Sequence, residues 1–205
     1  MKLITLIVGP LETNCYILVN EKNEAIIIDP GAETKKIISQ IEKENFQPKV
    51  ILLTHTHFDH IGAVYYLQKK YSIPFYFSRE EEEHYKTQKE NAKLFFYEDL
   101  QLSNNYSFIS EGKYQFINFN IEVIATPGHT IGSLCYYFYD NNIIFTGDTL
   151  FHNSYGRTDL PTGNFEQLVN SIKKKLFLLP DETIIYPGHC EISTIGEEKN
   201  YLSFL

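Results

Sequence analysis

Four apolar segments of this chain run directly into short turns that carry histidine or aspartate side chains. One of them, residues 50–53, leads into His55-Thr56-His57-Phe58-Asp59-His60. Pro and Gly impose sharp turns where strands end, and side chains on such loops often form functional sites. The other three segments follow this design and end in Thr126-Pro127-Gly128-His129, Thr146-Gly147-Asp148 and Tyr186-Pro187-Gly188-His189. We therefore predict a fold that brings these strand ends together around one site.

The first motif predicts a bound metal. In extended backbone, alternate residues project to one side, so we expect His55, His57 and Asp59 to converge at the end of a strand, with His60 where a helix begins. One metal ion takes three or four ligands, and structural zinc sites are usually rich in thiolates. The motifs together offer enough nitrogen and oxygen donors for two ions in a catalytic centre, namely His55, His57, Asp59, His60, His129, Asp148 and His189.

The pattern of apolar residues predicts one domain of mixed strands and helices over residues 1–205, since no linker, repeat or low-complexity tract interrupts it. Strands are expected at 3–8, 15–19, 25–28, 50–54, 73–77, 114–118, 121–125, 133–139, 143–145 and 183–186, and helices at 33–43, 164–178 and 195–204.

Residues 79–111 differ in character, with a charged helical start and an aromatic patch at 94–97. A surface helix with a loop packed on the core is favoured over a flap near the site. His84, in the charged run, is interpreted as a solvated residue.

The composition limits the classes of binding partner that this chain is expected to have. The net charge of −8 argues against nucleic acid, because phosphate backbones are bound by clustered Lys and Arg. No apolar run approaches the length that spans a membrane. Three cysteines without paired spacing give no disulfide framework, which is typical of a cytoplasmic protein. A small molecule is the expected partner, and the pattern carries no prediction of an oligomeric state.

The HxHxDH motif with the later His129, Asp148 and His189 resembles the metallo-β-lactamase superfamily. Residues 147–151, 156–164 and 186–189 are similar to its glyoxalase II-like (hydroxyacylglutathione hydrolase-like) branch, in particular the short bacterial members. The resemblance implies a mixed α/β (α+β) fold: a four-layer αββα sandwich of two mixed β-sheets flanked by helices, with the metals at one edge. It also implies two divalent metal ions. Zinc is the first candidate for both, and iron and manganese are compatible with the same ligands. One ion would be held by His55, His57 and His129, the other by Asp59, His60 and His189, and Asp148 would bridge them.

The same resemblance implies a metal-dependent hydrolase of a small thioester, such as an S-2-hydroxyacylglutathione. Two ions about 3.5–4 Å apart can share a hydroxide, which would attack the thioester carbonyl, with Asp59 and Asp148 as the catalytic residues. A thiolate, with a pKa of about 8.5 for its conjugate acid, leaves without a dedicated acid. Two alternatives stay open: a mononuclear iron persulfide dioxygenase, and a metal-dependent esterase or lactonase. The absence of a thiolate ligand argues against antibiotic hydrolysis.

Two departures from glyoxalase II proper concern the thiol carrier. Few residues follow His189, so we expect no separate C-terminal helical glutathione-binding domain. After Gly156, glyoxalase II proper has a Lys and then a Tyr that contacts glutathione, whereas this chain has Arg157-Thr158-Asp159. Arg157 could bind an anionic substrate through its planar fork or pair with Asp159.

Three further residues are weaker candidates. His152 could touch substrate. Asp29 and Thr130 could hold a ligand imidazole by its free N–H, with helix capping as their competing role.

Overall fold

The computed structural model describes residues 1–94 and 100–204, and two six-stranded sheets form its centre. In the first sheet, strands β1 to β3 pair antiparallel, and β3 to β6 pair parallel. Its strands lie side by side in chain order: β1 (Lys2–Val8), β2 (Thr13–Val19), β3 (Glu24–Ile28), β4 (Gln47–Leu52), β5 (Phe75–Phe77) and β6 (Ser107–Phe108).

Parallel strands need crossover connections, usually helices. The parallel half of the first sheet is accordingly joined by α1 (Thr34–Lys43), α2 (Phe58–Ile61), α3 (Val64–Tyr71) and α4 (Glu82–Leu94).

The second sheet contains the remaining long strands, with two helices beside it. Its strands are β7 (Gly112–Phe116), β8 (Phe119–Ala125), β9 (Leu134–Phe138), β10 (Ile143–Gly147), β13 (Ile184–Pro187) and β14 (Ser193–Thr194), in the spatial order β14-β13-β10-β9-β8-β7. A separate two-stranded hairpin pairs β11 (Leu150–Phe151) with β12 (Ser154–Tyr155). The helices are α5 (Phe165–Lys174) and α6 (Ile195–Tyr201).

Alternation along the strands explains why the molecule has four layers. One set of side chains from both sheets, including Leu18, Leu52, Tyr136 and Phe145, packs into a shared cluster between them. Alternate residues face outward, because successive side chains of a strand point to opposite faces. On the first sheet they pack with residues of α1 and α3, and on the second with residues of α5 and α6. The predicted αββα sandwich is confirmed.

Strand direction places three of the turn motifs together. Both β8 and β10 pair antiparallel with β9, so they run the same way, and β13 pairs parallel with β10. His129, Asp148 and His189 therefore follow the carboxyl ends of three strands at one edge of the sheet. Ligands of open α/β sheets bind outside the carboxyl ends of strands.

The structure differs from the predicted elements mainly in short segments. Strand β4 ends at Leu52 rather than at residue 54. The helix predicted at 164–178 is divided into α5 and a 3-10 turn at Leu176–Leu178. The aromatic patch at 94–97 lies, from residue 95 onward, outside the described residues. Every helix within residues 1–94 and 100–204 is too short or too polar to cross a membrane.

Candidate metal centre

The seven predicted ligands meet at the edge where the strand ends converge. They form three overlapping groups, and within each group the candidate ligand atoms lie within 4.8 Å of one another. The groups are His55, His57 and His129; Asp59, His60 and His189; and His55, His60 and Asp148. The first two groups share no residue, so the arrangement has room for two ions.

Asp148 connects the first two groups. Its Oδ1 lies 3.3 Å from His60 Nε2. Its Oδ2 lies 3.5 Å from His129 Nε2 and 3.6 Å from His189 Nε2. One carboxylate therefore reaches ligand atoms of both groups.

The expected convergence of His55, His57 and Asp59 on one side of an extended strand is wrong. Strand β4 has already ended at Leu52, and helix α2 begins at Phe58, so Asp59 lies on a helical turn. Helical residues rotate by about 100° per step rather than alternating. Asp59 Oδ2 consequently lies 3.3 Å from His189 Nε2 and 3.7 Å from His60 Nε2.

Four of the five histidines are held through Nδ1 by an oxygen atom, which leaves Nε2 facing the centre. The acceptors are Asp29 Oδ2 for His60 at 3.0 Å, the Arg157 carbonyl for His129 at 2.8 Å, the Leu11 carbonyl for His189 at 2.9 Å, and Thr54 Oγ1 for His55 at 3.1 Å. Such partners fix the tautomer and the orientation of a metal-ligating imidazole. His57 differs, because its Nδ1 faces the centre 2.9 Å from His129 Nε2.

Buried polar atoms without partners support a metal at this place. His55 Nε2, His60 Nε2 and Asp148 Oδ1 are buried and make no hydrogen bond of acceptable geometry, although the last two lie 3.3 Å apart. Buried polar groups are nearly always satisfied, and each exception needs an explanation. All three atoms belong to one group of candidate ligands, so the donor set fits cations.

The charge states of His55, His57 and Asp148 also suit metal binding. For His60, the effect of burial is outweighed by Asp148, Asp59 and Asp29, which raise its pKa. Burial, followed by neighbouring His129 and His84, lowers the pKa of His57 to about 3. Burial and four histidine neighbours hold the pKa of His55 well below its usual value. Burial opposes ionisation of Asp148, but His60, His189 and His129 outweigh it and depress the pKa of that carboxyl. Neutral imidazoles and an ionised carboxylate are the forms that bind metals.

Of the two residues predicted to hold a ligand ring, only Asp29 contacts one. Besides His60, it accepts hydrogen bonds from Thr54 N at 2.8 Å and Thr54 Oγ1 at 2.6 Å. The prediction for Thr130 is wrong, because its hydroxyl bonds to Ser133 Oγ at 2.7 Å. The Arg157 carbonyl holds the ring of His129 instead, a contact that has no signature in residue types.

The interpretation of His84 as a solvated residue is also wrong. Only 8% of His84 is exposed, and its ring packs at a steep angle against His57, with centroids 4.9 Å apart. Its helix is not a plain surface element, since Gln88 Oε1 accepts a hydrogen bond from the backbone N–H of Phe58 at 3.0 Å. Glu81, His84 and Gln88 recur at helical spacing, which is the signal that identifies a buried face.

The two candidate substrate residues lie beside the centre. Arg157 donates from Nε and Nη2 to the two carboxylate oxygens of Asp159, each at 2.7 Å, so the ion pair is the interpretation that the structure supports. His152 is exposed, and its Nδ1 lies 3.7 Å from Glu191 Oε2. The neighbouring Phe151 ring lies 6.2 Å from that of His189, so His152 belongs to the rim.

Two packed sheets with a histidine and aspartate centre at their shared edge define a metallo-hydrolase fold of the αββα class. Residues 8–189 match the sequence profile of the Metallo-beta-lactamase superfamily, and the chain belongs to this superfamily of metal-dependent hydrolases.

The chain is similar to several known proteins over almost its whole length. It is 36% identical to "Hydroxyacylglutathione hydrolase GloC" of Haemophilus influenzae over 202 residues, which are 97% of this chain and 95% of that protein. Its structure matches that of the BLEG-1 B3 metallo-beta-lactamase with a TM-score of 0.90 and 35% identity, covering 100% of this chain and 99% of the other. It also matches TTHA1623, solved in a di-iron-bound form, with a TM-score of 0.92 and 32% identity over 98% and 100% of the two chains.

Proposed function

We propose that this chain is a two-metal hydrolase that cleaves a small thioester, of the hydroxyacylglutathione hydrolase type. The observation that carries the proposal is the pair of ligand groups joined by Asp148, with unpartnered buried atoms facing the space between them. The 36% identity to a hydroxyacylglutathione hydrolase over nearly the full length supports the thioester as substrate class.

In this proposal the two groups have distinct ligand roles. His55, His57 and His129 would hold one ion, Asp59, His60 and His189 would hold the other, and Asp148 would be shared between them. Two bound divalent ions would supply a water whose pKa falls to about 7 and a Lewis acid that polarises a carbonyl oxygen. Zinc suits these nitrogen and oxygen ligands, as do iron and manganese, and the relative in a di-iron-bound form makes iron a specific candidate.

We assign to Asp59 the role of orienting the attacking water or accepting its proton. This residue stands in the first turn of α2, and its Oδ2 accepts a hydrogen bond from Thr13 Oγ1 at 3.2 Å. This bond and the nearby His189 Nε2 fix the carboxylate orientation, so its second oxygen can orient a water or take its proton.

Apolar side chains beside the ligands offer a surface for the acyl group. Leu11, whose carbonyl holds His189, is 41% exposed, and Ile131, two residues after His129, is 49% exposed. A thiolate leaving group needs little protonation, since its conjugate acid has a pKa of about 8.5. A small thioester fits both features.

The mononuclear iron alternative uses fewer of the observed contacts. It leaves Asp59, His60 and His189 without a ligand role, although their ligand atoms lie within 4.8 Å of one another. Hydrolysis of β-lactams is a second candidate, supported by the structural match to a B3 metallo-beta-lactamase. The experiment described next includes a substrate for each of these two alternatives.

The test combines metal analysis with a substrate panel of S-lactoylglutathione, an aryl ester, a β-lactam and glutathione persulfide. We expect about two metal ions per chain, as two-metal sites require, and thioester hydrolysis faster than cleavage of the other substrates. One iron per chain with oxygen uptake on the persulfide would replace our proposal by the dioxygenase. Cleavage of the β-lactam alone would replace it by the lactamase, and a metal-loaded chain that cleaves nothing would refute it.

Removal of metal should also lower stability. A ligand present at 100 times its dissociation constant stabilises the folded state by about 2.7 kcal/mol, and for a protein of this size each kcal/mol shifts Tm by about 2–4 °C. We therefore expect chelated protein to melt about 5–10 °C below protein supplied with zinc, as measured by calorimetry. Addition of magnesium, which prefers all-oxygen octahedral sites, serves as the control, and equal melting temperatures with and without zinc would contradict the prediction.

Arg157→Ala should leave substrate affinity almost unchanged. The Arg157 fork is paired with Asp159, and exposed ion pairs contribute about 1 kcal/mol or less. We expect KM for S-lactoylglutathione to change less than about fivefold, which is what about 1 kcal/mol corresponds to. Asp159→Ala, which frees the guanidinium, is the matched control. A tenfold rise in KM for Arg157→Ala alone would show that Arg157 binds the substrate after all.

A further inference from the structure

We propose that Glu81 is a positioning residue that holds two loops in place through hydrogen bonds. One loop carries His55 and His57, and the other carries His129. This inference rests on the proposed function, because it takes these three histidines as the ligands of one ion. Glu81 is outside the ligand set and ends the 3-10 turn Arg79–Glu81 that leads into α4.

One buried carboxylate makes contacts with both loops. Glu81 is fully buried. Its Oε2 accepts hydrogen bonds from Thr56 N at 3.0 Å and Thr56 Oγ1 at 2.7 Å, and Thr56 lies between His55 and His57. Its Oε1 accepts a hydrogen bond from Gly132 N at 2.9 Å, in the loop that follows His129. Hydrogen bonds to a charged acceptor are the stronger ones in proteins, so Glu81 ties both loops to one point.

The local backbone is built around this carboxylate. A Cβ on Gly132 would lie 2.7 Å from both Glu81 Cγ and Ser78 Oγ, so only glycine lets the loop approach Glu81 this closely. Ser78 Oγ accepts a hydrogen bond from Glu80 N at 3.2 Å and caps the turn that carries Glu81. Burial alone would raise the pKa of Glu81, but hydrogen bonds from His84, Thr56 and Thr130 lower it to about 2, so the group is ionised.

His84 extends the contact to a ligand ring. Its Nδ1 lies 3.2 Å from Glu81 Oε2, where the carboxylate can only accept, so this nitrogen donates. The His84 ring then packs edge-on against His57 and limits rotation of the ligand. Through His84, Glu81 restrains the orientation of His57 as well as the position of its backbone.

Asp29 makes the corresponding contacts on the other side of the centre. It holds Thr54 through two hydrogen bonds and His60 through Nδ1. Asp29 thus contacts His60 of the second group directly and His55 of the first group through Thr54, whereas, among the ligand loops, the described contacts of Glu81 reach only those that carry the first group. Loss of Glu81 should therefore lower the affinity for one ion more than for the other. A general loss of stability would lower both affinities.

The test is Glu81→Gln, which keeps the size of the side chain but turns one acceptor into a donor facing an N–H group. Mutation of residues behind metal ligands typically weakens metal affinity about 10–100-fold. We expect a loss of this size for one Co²⁺ ion in a stepwise titration, with a change in its visible absorption spectrum. The affinity for the other ion should change less than about threefold, because Asp29 still holds that group. Glu83→Gln is the matched control, since Glu83 is exposed and pairs only with Lys86 among the described contacts.

Thr56→Val provides a second variant that removes a single hydrogen bond to Glu81, and it keeps the test possible if Glu81→Gln does not fold. It should lower the affinity for the same ion by a smaller factor, because Thr56 N still donates a hydrogen bond to the carboxylate. A parent chain that binds no Co²⁺ would refute the proposed function. A parent that binds two ions, with variants whose affinities and spectra equal those of the parent, would refute the role of Glu81 alone.

Discussion

Asp148→Asn should reduce thioester hydrolysis by about 10²- to 10³-fold, the range seen when a single electrostatic group of a catalytic centre is removed. Asp148 is the one carboxylate that reaches ligand atoms of both groups in the described part of the chain, through Oδ1 toward His60 and Oδ2 toward His129 and His189. Asparagine has the same size, but it removes the negative charge and replaces one ligand oxygen by an N–H group that cannot bind a cation.

The measurement is kcat for S-lactoylglutathione together with the metal content of the purified variant. Asp140→Asn is the control and should match the parent, because Asp140 lies in an exposed turn where, among the described residues, its carboxylate accepts a side-chain hydrogen bond from Asn120 Nδ2 alone. An Asp148→Asn enzyme that retains both ions and more than a tenth of the parental kcat would show that Asp148 does not join the two groups functionally.

Gly188→Ala should be nearly as damaging, although glycine offers no ligand. A Cβ at this position would overlap Asp148 Oδ1 and lie 2.8 Å from His60 Cε1. The backbone cannot move away easily, because Gly188 N donates to the Gly147 carbonyl at 2.8 Å and its own carbonyl accepts from Asn14 N at 2.7 Å. Overpacking of a filled interior costs about 1–3 kcal/mol, and displacement of catalytic groups by about 1 Å can lower the rate about 10²-fold.

We therefore expect Gly188→Ala to lose about 10²-fold in kcat and to melt several degrees below the parent. Calorimetry and the thioester assay measure these effects. Cys190→Ala, two residues along in the same loop and exposed, removes an atom instead of adding one and should behave like the parent. A fully active Gly188→Ala enzyme would mean that Asp148 and His60 can separate without consequence.

Much of this centre follows from the sequence because each ligand stands directly after an apolar run and a turn residue. A strand end is easy to locate from such a pattern, and parallel strand ends meet at one edge. The placement of Asp59 was less predictable from the backbone pattern, although the resemblance to the superfamily implied its group. Helix α2 has only four residues, so it shows no periodicity from which its start could be read, and the change from extended to helical backbone moved Asp59 into the second group.

Glu81 and His84 were harder to identify for a different reason. They lie within a run of charged residues, and a charged run usually marks a solvated surface. Their burial depends on donors from two distant loops, Thr56 and Gly132. No local pattern specifies such tertiary partners. The Arg157 carbonyl that holds His129 is similarly hidden, since every residue has a carbonyl.

The ligands come from both sheets of the sandwich, and His57 and His129 are 72 positions apart in the chain. Contacts between such distant positions form late in folding, because the entropy of closing a long loop must be overcome first. A chain with only the first sheet assembled would have four of the donors, and one with only the second sheet would have three, so neither would offer a complete site for two metal ions. Metal uptake should thus mark the completion of folding. A nascent or misassembled chain would bind no metal pair and have no hydrolase activity until its two sheets have packed together.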